Sequence, residues 1–246
     1  MNFIYPKIIC AIDDVYFRIN RKKLVSGFDL PKEFTVTYHA GAMHTSANSI
    51  YSVKAAVDAE AQIVEFDVSF RPDGTPVIIH NPEPSSAQGV LLKDALAVVA
   101  EHRSCRINLD IKSTKNLAAV DALVNQYGLT ERVFYTGVFE DWVDTVRTAS
   151  SIPYYLNYNI KSEETSDNDL LQAVADKVKN YGAIGINSNF ENATKGFVDF
   201  MHKNGLLVSL WTVNNPKDIP RVLEMQPDNI TTKRPQLLKL VAYHQK

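Results

Sequence analysis

The sequence predicts a closed (β/α)8, or TIM, barrel preceded by a short N-terminal extension. Three observations carry this. From residue 34 onward, short runs rich in β-branched and aromatic residues alternate with longer amphipathic runs, and eight such pairs follow one another. The chain has 246 residues, close to the roughly 250 typical of this fold. The rival, an open doubly wound sheet, needs fewer units and usually a glycine-rich phosphate loop after its first strand. No GxGxxG or GxxxxGK[ST] pattern occurs.

Taken in order, the strands are expected at residues 35–39, 63–68, 107–111, 133–136, 154–158, 183–187, 206–211 and 229–232. The helices that follow them are expected near 48–60, 91–102, 116–127, 139–149, 166–180, 194–204, 216–224 and 235–244. One β-rich run, Pro76 to His80, breaks the repeat. It follows Arg71-Pro72-Asp73-Gly74, and Asp-Gly favours a tight reversal. Residues 69–80 are therefore expected to form a small hairpin after the second strand. Residues 1–33 mix a short apolar run, a basic cluster (Arg18, Arg21, Lys22, Lys23) and a turn at Ser26-Gly27. They read as a packed N-terminal arm or barrel cap, with residues 34–246 as one barrel domain.

Strand periodicity points to the chemistry, because side chains two apart share a face. In 63–68, Val64, Phe66 and Val68 are expected against the helices, which turns Glu65 and Asp67 inward. In the third strand Ile107, Leu109 and Ile111 face the helices, while Asn108, Asp110 and Lys112 face in. Three carboxylates thus converge with one lysine, and such a group needs compensation. Either one dication or a salt-bridge network through Lys112 would supply it. Oxygen-only ligands favour Mg2+, Ca2+ or Mn2+ over zinc. His39 ends the first strand and His80 ends the hairpin strand, where barrel active sites lie. Two histidines beside an acidic cluster suit a nucleophile or base and an acid. The other four, His44, His102, His202 and His244, read as surface residues. Of the remaining strand-end residues, Asn187 and Trp211 could line a pocket, the tryptophan as a wall for an organic group.

Composition narrows the partners. Hydrophobic residues make up 45% and 26 basic residues face 28 acidic ones, a net charge of −2. A broad nucleic-acid surface is not expected. Two cysteines, Cys10 and Cys105, rule out a disulfide framework. No apolar run approaches the roughly 20 residues that span a bilayer, and the run at residues 8–12 meets Asp13-Asp14 too soon for a signal peptide. A cytoplasmic location without stable membrane insertion is the expectation. The sequence sets no oligomeric state.

Seven motifs then fall in a familiar order: Tyr38-His39-Ala40-Gly41, Asn48-Ser49, Glu65-Phe66-Asp67, Asp73-Gly74-Thr75-Pro76-Val77 through His80-Asn81, Asp110-Ile111-Lys112, Trp211-Thr212-Val213-Asn214, and Thr232 to Pro235. From residue 34 to the end the chain resembles the glycerophosphodiester phosphodiesterase family. The resemblance implies a TIM-barrel phosphodiesterase that uses one divalent cation. It implies Glu65, Asp67 and Asp110 as ligands, His39 and His80 as the catalytic pair, Lys112 on the phosphate and Trp211 on the alcohol side. The substrate would be a small-molecule phosphodiester. The chain departs from the pattern at Ala40, where the family has arginine, at Ala47 for a glutamate, at Asn81 for an aspartate and at Asp110 for a longer glutamate. Ala40 is expected to leave a gap on the phosphate side. The short stretch from His80 to Asp110 leaves little room for a covering insertion. That stretch and the Asp-x-Lys form also resemble sphingomyelinase D and lysophospholipase D enzymes. A non-catalytic barrel that binds phosphorylated ligands is the rival from another class.

Overall fold

The computed structural model describes residues 4–25 and 27–244. Eight parallel strands close on themselves: β1 (Thr35–Tyr38), β2 (Ile63–Phe70), β5 (Arg106–Ile111), β6 (Val133–Val138), β7 (Tyr154–Asn157), β8 (Gly185–Asn189), β9 (Leu207–Trp211) and β10 (Asn229–Thr232). Closure is made by β1, which pairs with both β10 and β2. A helix follows each barrel strand: α2 (Ile50–Asp58), α3 (Leu92–Ala100), α4 (Leu117–Gln126), α5 (Val143–Ala149), α6 (Asn168–Asn180), α7 (Lys195–Lys203), α8 (Ile219–Glu224) and α9 (Pro235–Tyr243). The expected strand–helix alternation is thus observed.

The expected hairpin is present and gains a third strand. β2 runs on to Phe70, β3 (Pro76–Ile78) returns antiparallel to it, and β4 (Val90–Leu91) pairs with β3. Gly74, at φ +85°, makes the reversal, and Asp73 accepts a 2.9 Å bond from the Thr75 amide. The turn expected at Ser26-Gly27 lies partly outside the described residues, since Ser26 is not among them.

The alternation within β2 decides which end of the barrel carries chemistry. Val64, Phe66 and Val68 join the main core beneath the helices. Inward-facing Ile63 packs with Phe134 and Tyr155 in a separate apolar cluster, and the Phe134 and Tyr155 rings meet edge-on at 5.5 Å. Farther along β2 the inward positions are Glu65 and Asp67, both buried. Polar interior positions elsewhere are hydrogen-bonded to one another. Asn229 Nδ2 donates to Thr37 Oγ1 at 2.8 Å, and Thr136 Oγ1 donates to Asn108 Oδ1 at 2.8 Å. The helices seal the outside with aliphatic faces such as Leu92, Ala95, Leu96 and Val99 of α3. Each large aliphatic side chain so buried contributes about 1.5–3 kcal/mol.

The N-terminal segment forms one long helix, α1 (Ile4–Leu24), laid on the flank of the barrel against α9. Its fixed points are an ion pair of buried Asp13 with Arg234, a 3.1 Å bond from Gln236 to Asp14 and an edge-on contact of Phe17 with His244 at 5.2 Å. Among the described residues no helix is long and apolar enough to cross a membrane.

Candidate active site

A cleft of about 500 Å³ opens at the C-terminal ends of the strands. Its lining includes His39, Glu65, Asp67, His80, Asp110, Lys112, Asn187 and Trp211, so every site residue expected from the sequence reaches one cavity. The parallel register explains the acidic group. Glu65 pairs with Asn108, and Asp67 pairs with Asp110, across β2 and β5. Carboxylate oxygens of Glu65, Asp67 and Asp110 lie within 4.8 Å of one another.

Lysine compensation is only partial. Lys112 Nζ sits 3.0 Å from Asp67 Oδ1 and 2.8 Å from Asp110 Oδ2. Burial works to lower the Lys112 pKa, but the two carboxylates outweigh it and hold the group above the ordinary lysine range. The salt-bridge network therefore exists, yet it cancels one of three negative charges. The remainder shows in two places. Glu65, fully enclosed, is pushed well above the usual carboxylate range by burial and then by Asp67 and Asp110. Asp110 Oδ1 is buried without a hydrogen-bond partner, although burial of such an oxygen normally requires one. An oxygen-only donor set, a net charge of −2 and an orphaned carboxylate oxygen fit one hard dication.

Two of the three carboxylates are held from behind. Asn48, at φ +54°, donates from Nδ2 to Asp67 Oδ2 at 2.7 Å and accepts the Asp67 amide at 2.9 Å. The Ala40 amide donates to Glu65 Oε2 at 2.6 Å. Asn157 accepts from the Gly137 amide at 2.9 Å and from Asn187 Nδ2 at 3.0 Å, which fixes Asn187 in the cleft wall.

His39 is half-buried, and its Nδ1 lies 2.9 Å from the carbonyl oxygen of Ala40. A carbonyl only accepts, so Nδ1 carries the proton and the Nε2 lone pair is free. Burial lowers the His39 pKa, against the opposing hydrogen bond to Ala40. The ring is thus kept neutral and basic. His80 lines the same cleft from an exposed position on the rim.

Several details correct or extend the sequence reading. Ala40 is buried and does not itself line the cleft. His102, His202 and His244 are half-buried rather than free on the surface, and His44 is exposed. His202 Nε2 meets Asp228 Oδ2 at 2.8 Å, and His244 packs on Phe17. Three contributors are not singled out by the sequence, and Asn48 enters it only as part of a motif. Gly137, at φ +75°, admits no side chain, because a Cβ there would strike Asp110 Oδ1 and the Ile111 carbonyl. Phe139 and Trp142 wall the mouth, with Phe139 51% exposed and the rings edge-on at 6.1 Å. A glycine directly after the strand expected at 133–136 and two aromatics three residues apart are the available signals.

The closed parallel sheet with its outer helices defines the class of fold, a (β/α)8 barrel. The chain belongs to the glycerophosphoryl diester phosphodiesterase family, whose sequence profile matches residues 82–237. Asp110, Lys112, Asn187 and Trp211 fall inside that stretch, and His39, Glu65, Asp67 and His80 precede it. No curated relative matches the chain. Solved structures share the fold at low identity. A glycerophosphodiester phosphodiesterase from Parabacteroides distasonis is 18% identical with a TM-score of 0.69, covering 86% of this chain and 97% of its own. One from Agrobacterium tumefaciens is 15% identical with a TM-score of 0.65, covering 83% and 98%. A phosphodiesterase from Oleispira antarctica, in complex with the product sn-glycerol-3-phosphate, is 15% identical with a TM-score of 0.68, covering 86% and 96%.

Proposed function

We propose that the protein hydrolyses glycerophosphodiesters, or related phospholipid-derived diesters, to an alcohol and a phosphomonoester, using one divalent cation and two histidines. The observation that carries this reading is the Glu65, Asp67 and Asp110 cluster, formally at −2 with Lys112 counted, facing one cleft with His39 and His80. Glu65, Asp67 and Asp110 would hold the dication, which would supply positive charge to a phosphate oxygen that becomes more negative in the transition state.

The protein's own groups do the rest. His39 Nε2 takes the proton from the attacking hydroxyl, either water or a neighbouring hydroxyl of the substrate. Its fixed tautomer and lowered pKa suit a base near neutral pH. His80, at the rim, gives a proton to the departing alkoxide. Lys112 uses two of its three donors on Asp67 and Asp110, which leaves one for a phosphate oxygen. Trp211 Nε1 is buried in the cleft wall without a partner and offers a donor to the substrate. Asn187 shapes the floor.

Phe139 and Trp142 favour a second substrate range, diesters with a bulky apolar alcohol of the lysophospholipid kind, over glycerol-sized groups alone. Incubation of the protein with glycerophosphocholine and with lysophosphatidylcholine, in Mg2+, Ca2+ or Mn2+, tests both readings. Release of free choline with a matching phosphomonoester supports the proposal. Absence of hydrolysis of either diester with all three cations contradicts it and leaves the ligand-binding barrel.

A further inference from the structure

Helix α1 presents an apolar stripe to solvent. Ile8, Ile12, Val15 and Ile19 are 47%, 53%, 55% and 77% exposed. Their spacing of four, three and four residues places them along one line of a helix. Eight large hydrophobic side chains are exposed among the described residues, and the other four, Phe139, Leu170, Leu207 and Tyr243, lie on separate elements or loops. The concentration of half of them on one helix face is therefore a local feature.

The charges of the same helix are sorted. Asp13 is buried against Arg234, and Asp14 is half-buried and bonded to Gln236. Both acidic side chains are thus spent on the barrel side. Lys7, Arg18, Arg21, Lys22 and Lys23 are all exposed, and none joins an ion pair among the described residues. At 3.6 residues per turn, Lys7, Arg18 and Lys22 border the stripe on one side and Lys23 on the other. With five basic against two acidic side chains the helix nets +3, so the rest of a chain at −2 nets −5. The apolar stripe is set in the cationic pole of an otherwise acidic molecule.

We propose that α1 is a docking face for an anionic lipid surface, lying in the headgroup plane with Ile8, Ile12, Val15 and Ile19 inserted and the basic rim on lipid phosphates. Aliphatic residues flanked by lysine and arginine are the pattern of a helix that lies on a bilayer rather than spanning it. A second copy of the chain is the other occupant for such a stripe. Pairing two of these faces would bring cationic rims together, and exposed Asp58, which shares a cavity with Lys7, offsets only one of five basic charges on each copy, so the charge distribution opposes it. The inference does not rest on the assignment of substrate or cation.

The test is co-sedimentation of the full chain with vesicles of phosphatidylcholine alone and of phosphatidylcholine with one quarter phosphatidylglycerol. Partition is expected to be at least about tenfold higher on the anionic vesicles and to fall steeply between roughly 0.1 and 0.5 M NaCl. Ile12→Gln with Ile19→Gln, and separately Lys22→Glu with Lys23→Glu, should each lower partition about tenfold or more while hydrolysis of a water-soluble diester stays unchanged. Equal partition on both vesicle types, or full binding by either double variant, would overturn the proposal. So would a dimer in sedimentation equilibrium that the isoleucine variant dissolves while the unmutated chain ignores vesicles, which would assign the stripe to a second copy.

Discussion

Asp67 and Asp110 are Cα partners in the parallel pairing of β2 and β5, and Lys112 Nζ lies within 3.0 Å of a carboxylate oxygen of each. Two like charges set side by side by strand register are costly unless positive charge faces them. One ammonium answers two of the three carboxylates and leaves Glu65 and Asp110 Oδ1 unanswered. The proposed cation would relieve that imbalance.

The pH dependence of stability tests the imbalance directly. The folded-state pKa of Glu65 is raised, so the folded protein keeps a proton that the unfolded chain gives up. In the cation-free protein this contribution is full below the ordinary carboxylate range and is lost as pH rises through the raised value. Melting curves in EDTA from pH 5.5 to 8.5 should show the unmutated protein losing Tm relative to Glu65→Gln as pH rises. Parallel curves for the two proteins would show that Glu65 is not proton-loaded.

Asn48 acts on the site through Asp67. Its amide meets both the carboxylate and the backbone N–H of that residue. Asn48→Ala should weaken cation binding about 10- to 100-fold, the usual effect of losing a group that orients a ligand. Calorimetric titration with Mn2+ measures it, and an unchanged Kd would limit Asn48 to a structural role.

Gly137 is the least replaceable residue of the mouth. Its left-handed φ and the position of Asp110 exclude a Cβ. Gly137→Ala should cost about 1–3 kcal/mol of stability from backbone strain and also abolish the increase in Tm on adding cation, because Asp110 must move. Wild-type melting with a normal cation response would contradict this.

His39→Ala and His80→Ala should each lower kcat by at least about 10²-fold. Circular dichroism should be unchanged, since strand-end and loop side chains leave the barrel core intact. Near wild-type turnover in either variant removes that histidine from the mechanism.

The periodicities that place Glu65, Asp67, Asp110 and Lys112 inside the barrel are local, which is why the fold and the acidic cluster were legible from residues alone. What could not be read depends on partners far along the chain. Asp13 turns α1 inward because Arg234 waits 221 residues away, and without that partner the segment shows only a basic, β-branched run. The collision at Gly137 comes from Asp110 on the neighbouring strand, not from anything beside it in sequence.

The most direct measurement is the initial rate of glycerophosphodiester hydrolysis by the full chain after exhaustive chelation and again after adding back Mg2+, Ca2+ or Mn2+. With the cation held by Glu65, Asp67 and Asp110, chelation should lower the rate at least about 10²-fold, the scale lost when electrostatic stabilisation of the transition state is removed. At least one of the three cations should restore it, and Glu65→Gln should respond weakly to all three. A chelated protein that hydrolyses its substrate at the full rate would contradict the account.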